Sequence, residues 1–182
     1  HAKPHAMTLR VTNTYIAGRN LMEISEFLNR DIVCTRLNHN GKLVTPKRDT
    51  IFNIGDEVLI VCAEADAEAI KAFIGPEIEV EWNDREYENQ QPMISKRIVV
   101  TNPKMNGKTL GKMHFSSVFG VNVTRISRQG MDLFASRNHH FHVGDKIMVV
   151  GREENVNRVA EMVGNSAKRL NAPNIATIFI GI

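Results

Sequence analysis

Shifted by 89 residues, the sequence lies on itself without a gap. Val11-Thr12-Asn13 falls on Val100-Thr101-Asn102, Gly18 on Gly107, and Leu21 on Leu110. Thr35-Arg36 meets Thr124-Arg125, Gly41 meets Gly130, Phe52 meets Phe141, Gly55-Asp56 meets Gly144-Asp145, and Gly75 meets Gly164. Ile32/Val121, Ile54/Val143 and Val58/Ile147 fill the intervals conservatively. A register kept over about 65 residues is a duplication. With two units only it is not a solenoid, which needs three or more repeats to bury a continuous core.

Each copy predicts the same elements. A short strand (Leu9–Val11, Ile98–Val100) leads to a turn glycine, Gly18 or Gly107. An amphipathic helix follows, with Leu21, Ile24, Phe27 and Leu28 at helical spacing in the first copy and Leu110, Met113 and Val118 in the second. Two β-rich runs broken at Asn40-Gly41 or Gln129-Gly130 predict a hairpin. The Gly-Asp turns then open the nearly continuous apolar runs "EVLIVCA" and "KIMVVG", expected as central strands. A last helix carries Ile70, Phe73 and Ile74, or Val156, Val159 and Val163, on one side. The expected fold class is α+β: two tandem βαβββα sandwich modules, helices on one face of a mainly antiparallel sheet. Residues 8–75 and 96–165 are the expected modules. Residues 1–7 read as a tail, 76–95 as a solvated acidic linker, and 166–182 as a C-terminal segment.

Charge divides unevenly between the copies. Residues 8–75 hold eight Lys/Arg against nine Asp/Glu, whereas Lys96 to Arg169 holds thirteen against five. The positive half implies something anionic nearby. Cys34 and Cys62 both sit inside apolar strand-like runs, which predicts buried small hydrophobes and a reducing compartment. No signal peptide and no apolar run of about 18 residues is read, so no segment is expected to span a membrane by itself.

Four chemical patterns need weighing. "NPKMNGKTLGKM" ends like a phosphate-binding P-loop, but the first required glycine is Asn102, and the first copy has Gly18-Arg19-Asn20 in place of Gly107-Lys108-Thr109. A turn glycine followed by a helix with Thr109 as N-cap explains it. His139, His140 and His142 could ligate zinc, or form a polar edge before a turn; the first copy has Thr50, Ile51 and Asn53 there. Ser116-Ser117 lies near His114 with no carboxylate close in sequence to orient the imidazole. No catalytic set repeats, so the expected activity is not enzymatic: catalytic residues none, metal none, cofactor none. Nucleic acid is not an expected partner, because the basic residues are scattered and no aromatic pair forms a stacking platform.

The run "GKTL", a helix ending in "FGVNVTRISRQG", and "VGDKIMVVGREENVNRV" resembles the TrkA-C (RCK-C) domain of potassium-conductance regulators. "AGRNL", "DIVCTRLNHNG" and "FNIGDEVLIVCAEADAEAI" in the first copy resemble it more weakly. Paired modules of this kind resemble those between the membrane halves of aspartate–alanine exchanger (AspT/YidE-like) transporters. Lys168 and Arg169 before the final apolar run match the cytoplasmic lip of a membrane helix, and a terminal strand is the alternative. The resemblance implies a regulatory region at the cytoplasmic face of the inner membrane. Its partners would be the transmembrane halves of the same polypeptide. It would pair as a homodimer or as an intramolecular pseudo-dimer, with a cleft for a small anionic or nucleotide effector. The cleft positions implied are Phe119, Asn122 and Arg125. The alternatives are Phe119 in the core, Asn122 satisfying a turn, and Arg36 and Arg125 as surface strand residues. A free-standing ligand-binding module and an oligomerisation scaffold remain alternative functions.

Overall fold

The computed structural model describes residues 2–82 and 93–164. The first copy runs β1 (Pro4–Arg10), α1 (Leu21–Leu28), β2 (Ile32–His39), β3 (Lys42–Val44), β4 (Glu57–Ala63) and α2 (Ala67–Ile74). The second runs β5 (Met93–Val99), α3 (Leu110–Met113), β6 (Asn122–Arg128), β7 (Met131–Phe134), β8 (Lys146–Arg152) and α4 (Glu153–Gly164). Each forms a four-stranded sheet, ordered β1-β4-β2-β3 and β5-β8-β6-β7, antiparallel at every pairing. The fold is α+β, with the βαβββα order repeated. The apolar strands β4 and β8 are internal, as their continuous hydrophobicity requires.

Local chemistry explains the repetition. Asn40 and Gly41 at φ 50° and 85°, and Gln129 and Gly130 at φ 53° and 79°, give both hairpins a turn with two left-handed residues, whose twist matches the strands. The repeated Thr-Arg pair marks a β-bulge: register shifts between Cys34 and Arg36 and between Val123 and Arg125, with Thr35 and Thr124 buried at the shift. Ile70 and Ile74 of α2, and Val156, Val159 and Val163 of α4, are fully buried against their own sheets. Cys34 and Cys62 are buried free thiols.

Several expectations need correction. The first strand begins at Pro4, so residues 4–7, read as tail, pair with Ile60–Ala63 of β4. The start of the acidic linker is bound to β1. Ile78 N donates to Thr8 O at 2.9 Å, and the buried Trp82 donates Nε1 to Thr8 Oγ1 at 2.9 Å. Ile78, Val80 and Trp82 alternate with Glu77, Glu79 and Glu81, a period of two masked by the acid content. Phe27 is 59% exposed; it leaves the core and stacks on Phe73 at 5.0 Å. Val118 is 63% exposed because the second helix stops after Met113. His114 there takes φ 51°, and Phe115–Phe119 continue as one π-helical turn closed by left-handed Gly120. Linker residues 83–92 and the C-terminal residues 165–182, including Lys168 and Arg169, lie outside the described residues. No described helix is long and apolar enough to cross a membrane.

Candidate functional site

The two copies pack against each other through equivalent positions. Phe134, 1% exposed, packs with Val33, Val61, Ala63 and Ala2 of the first copy, and its amide donates to Ala2 O at 2.6 Å. On the other flank Thr45, the repeat counterpart of Phe134, donates Oγ1 to the sulfur of buried Met93 at 3.4 Å. The N-terminal end of each copy thus reaches the end of the other copy's hairpin.

Between the copies lies a cleft of about 230 Å³. Much of its lining pairs repeat partners: Leu21 and Leu110, Ile32 and Val121, Val33 and Asn122, Cys34 and Val123, Pro46 and Ala135, Arg48 and Arg137. The first turn of α1 or α3, the start of β2 or β6, and the loop after β3 or β7 supply these residues. The helices are set by side-chain caps: Asn20 accepts from Glu23 N at 3.0 Å and Thr109 from Lys112 N at 3.4 Å. Gly107 is therefore a turn residue at φ 77° ahead of a capped helix, the arrangement weighed against the P-loop.

The lining combines apolar side chains with the cations Lys47, Arg48 and Arg137, the carboxylates of Glu26 and Asp31, and a few amide and hydroxyl groups. Arg48 lies with Nε and Nη2 at 3.3 and 3.0 Å from Met22 Sδ. Arg137 donates its backbone N–H to Asp31 Oδ2 at 3.2 Å across the copies. Among the described residues neither guanidinium is in an ion pair. Burial, the larger effect, and a nearby Asp66 raise the Cys62 thiol to about 11; burial raises Cys34, at the cleft, to about 12. Cys34 is thus a neutral lining atom at neutral pH.

The three predicted residues part company. Asn122 lines the cleft and donates Nδ2 to Cys34 O at 3.3 Å, tying β6 to β2. Phe119 packs partly on the second core, 6.1 Å from the Phe115 ring, and lines a recess beside the cleft. Arg125 follows the bulge at Thr124, pairs with Met148 and Phe134, and lines neither space. Arg48 and Arg137 were missed, although the 89-residue register aligns them. The histidines serve separate roles. His140 Nδ1 lies 3.0 Å from Gly107 O, a contact that requires the proton on Nδ1; His142 N donates to Asp145 Oδ2 at 2.9 Å. Burial first, then Arg128, lowers the His139 pKa.

Residues 96–164 match the TrkA-C domain family. An uncharacterized transporter of Bacteroides thetaiotaomicron is 54% identical over 182 residues, which is 100% of this chain and 32% of that protein. One of Porphyromonas gingivalis is 34% identical over 175 residues, 94% of this chain and 31% of the relative. The chain therefore spans about a third of the curated relatives it matches. Among solved structures, the RCK C domain of the potassium transport protein KtrA, in complex with cyclic diadenosine monophosphate, aligns with TM-score 0.36 and 18% identity over 41% of this chain and 86% of that one. The GsuK RCK domain aligns with TM-score 0.39 and 11% identity over 88% of this chain and 63% of that one.

Proposed function

From the TrkA-C match of residues 96–164, we propose that this chain is the regulatory region of a membrane transporter and acts without catalysis. It lies at the cytoplasmic face of the membrane, covalently joined to the transmembrane halves, and the transporter is of the aspartate–alanine exchanger type. The observation that carries the proposal is the convergence of repeat partners, Arg48 with Arg137 and Val33 with Asn122, on one cleft. Duplicated modules that bury equivalent surfaces against each other have one shared space whose shape depends on their relative placement. A ligand in that space favours one placement, and the attached membrane halves feel the difference. The bias is limited to the ligand's differential affinity for the two placements. The relatives' description as transporters, of which this chain makes a third, supports the link to transport.

The test is a thermal-shift screen of the chain against nucleotides and amino acids. A ligand at 100 times its Kd stabilises the folded form by about 2.7 kcal/mol. Asn122→Ala should weaken that ligand with the fold intact; unchanged affinity removes Asn122 from the site. Membrane helices on both sides of this region in the parent gene are expected, and their lack would remove the transporter assignment.

A further inference from the structure

The duplicated fold builds a recess on each flank of the central cleft, and the two carry opposite charge. On one flank a recess of about 810 Å³ gathers Lys47 and Arg48 from the loop after β3 with Arg152 and Arg158 from the end of β8 and α4. Asp49 is its one lining carboxylate. The other recess, about 600 Å³, is lined by Glu26, Asp31 and Asp66 against Arg30 and Arg137. There Arg30 is already neutralised by Asp66 at 3.1 Å. Among the described residues, none of the four cations on the basic flank is in an ion pair, and Arg158 donates only to Asn155 Oδ1 at 2.6 Å.

The fold itself does not require these charges. The repeat counterparts of Lys47, Arg152 and Arg158 are Ser136, Ala63 and Ala69, and the same elements form around them. Phe119 lines the basic recess, whereas its counterpart Arg30 lines the acidic one. Guanidiniums match phosphate oxygens in a bidentate manner, and an aromatic face accepts a flat ring. We infer that the chain takes an asymmetric phosphate-bearing ligand, its phosphate among Lys47, Arg48, Arg152 and Arg158 and its flat apolar part against Phe119. The acidic flank opposes a second phosphate, so a twofold-symmetric dinucleotide is disfavoured. This rests on reading the space between the copies as the ligand site.

Calorimetric titration of the chain with AMP, pyrophosphate and cyclic diadenosine monophosphate tests it. AMP and pyrophosphate should bind. The double variant Arg152→Gln/Arg158→Gln, its fold checked by circular dichroism, should bind both at least tenfold more weakly. Lys96→Gln/Lys146→Gln removes the same charge elsewhere and should leave affinity within about twofold. The symmetric dinucleotide should bind no more tightly than AMP. Any of four results overturns the inference: no binding of AMP or pyrophosphate, equal losses in both double variants, a dinucleotide preference of tenfold or more, or binding only to phosphatidylglycerol vesicles. Asn122→Ala keeps the two proposals apart. If it leaves AMP affinity unchanged while the arginine variant loses it, the central cleft is dispensable and the basic recess stands.

Discussion

Asp56 and Asp145 occupy the same place in the two copies, almost fully buried after a turn glycine, and each accepts a backbone N–H three residues upstream. Asp56 faces His39 Nδ1 at 2.6 Å, while Asp145 takes two hydrogen bonds from Arg128 at 2.9 and 2.7 Å. Burial alone would raise the Asp145 pKa, but Arg128 and the His142 N–H outweigh it and hold the carboxyl below its ordinary range. A depressed folded pKa contributes stability above the unfolded value, about 3.9, and loses it as pH falls through the folded one. Asp145→Asn should cost about 1–3 kcal/mol at pH 7. In urea denaturation the gap from wild type should stay constant down to about pH 5 and shrink below about pH 4; a pH-independent gap would contradict the ion pair. Gly75 is a second such residue: its φ is 153°, and a Cβ would lie 1.9 Å from Arg10 O. Gly75→Ala should destabilise by about 2 kcal/mol or more, since strain and overpacking act together. A thermal melt unchanged from wild type would refute that.

The hairpins show which elements a sequence states openly. Asn-Gly and Gln-Gly between alternating apolar runs specify their own turn, because two left-handed residues are needed and few side chains tolerate them. Gln129 tolerates φ 53° less well than Asn40 tolerates φ 50°. Gln129→Asn should therefore stabilise the second hairpin by about 0.5 kcal/mol, read as a small rise in Tm; a fall would mean the Gln129 side chain has a tertiary role. The internal strands were legible for a related reason, since burial on both faces leaves a continuous apolar run. The second helix was not. "LGKMHFSSVF" has apolar residues that fit a single helix, and periodicity does not distinguish one helix from a four-residue helix, a left-handed His114 and a π turn. Nor did composition reveal the strap over β1, because the glutamates of "EIEVEW" outweighed the alternation of Ile78, Val80 and Trp82.

How the copies meet was the least legible property of the whole molecule. A repeat shift states that two positions are equivalent, but not that they face each other. Phe134 has a polar counterpart in Thr45, so no pattern marked it as a contact between copies. The cleft inherits that obscurity: Asn122 was found by resemblance, whereas Arg48 and Arg137 emerged only when packing set both loops beside one space. The same packing makes a testable statement about cooperativity. Each copy has its own core, Leu9, Ile60 and Ile70 in one and Ile147, Phe141 and Val159 in the other, and a small apolar cluster around Phe134 joins them beside a few hydrogen bonds such as Asn122 Nδ2 to Cys34 O. Phe134→Ala should cost about 3 kcal/mol, and the loss should fall on docking more than on either core. Hydrogen exchange is expected to quicken at the Phe134 amide, which donates to Ala2 O, and to stay slow along the β4 and β8 ladders. Calorimetry should show the unfolding peak broaden into two components as the copies uncouple. If the variant instead unfolds in one sharp transition with exchange faster everywhere, the copies form a single cooperative unit. A ligand could not then shift one against the other, and regulation through their relative placement would fail with it.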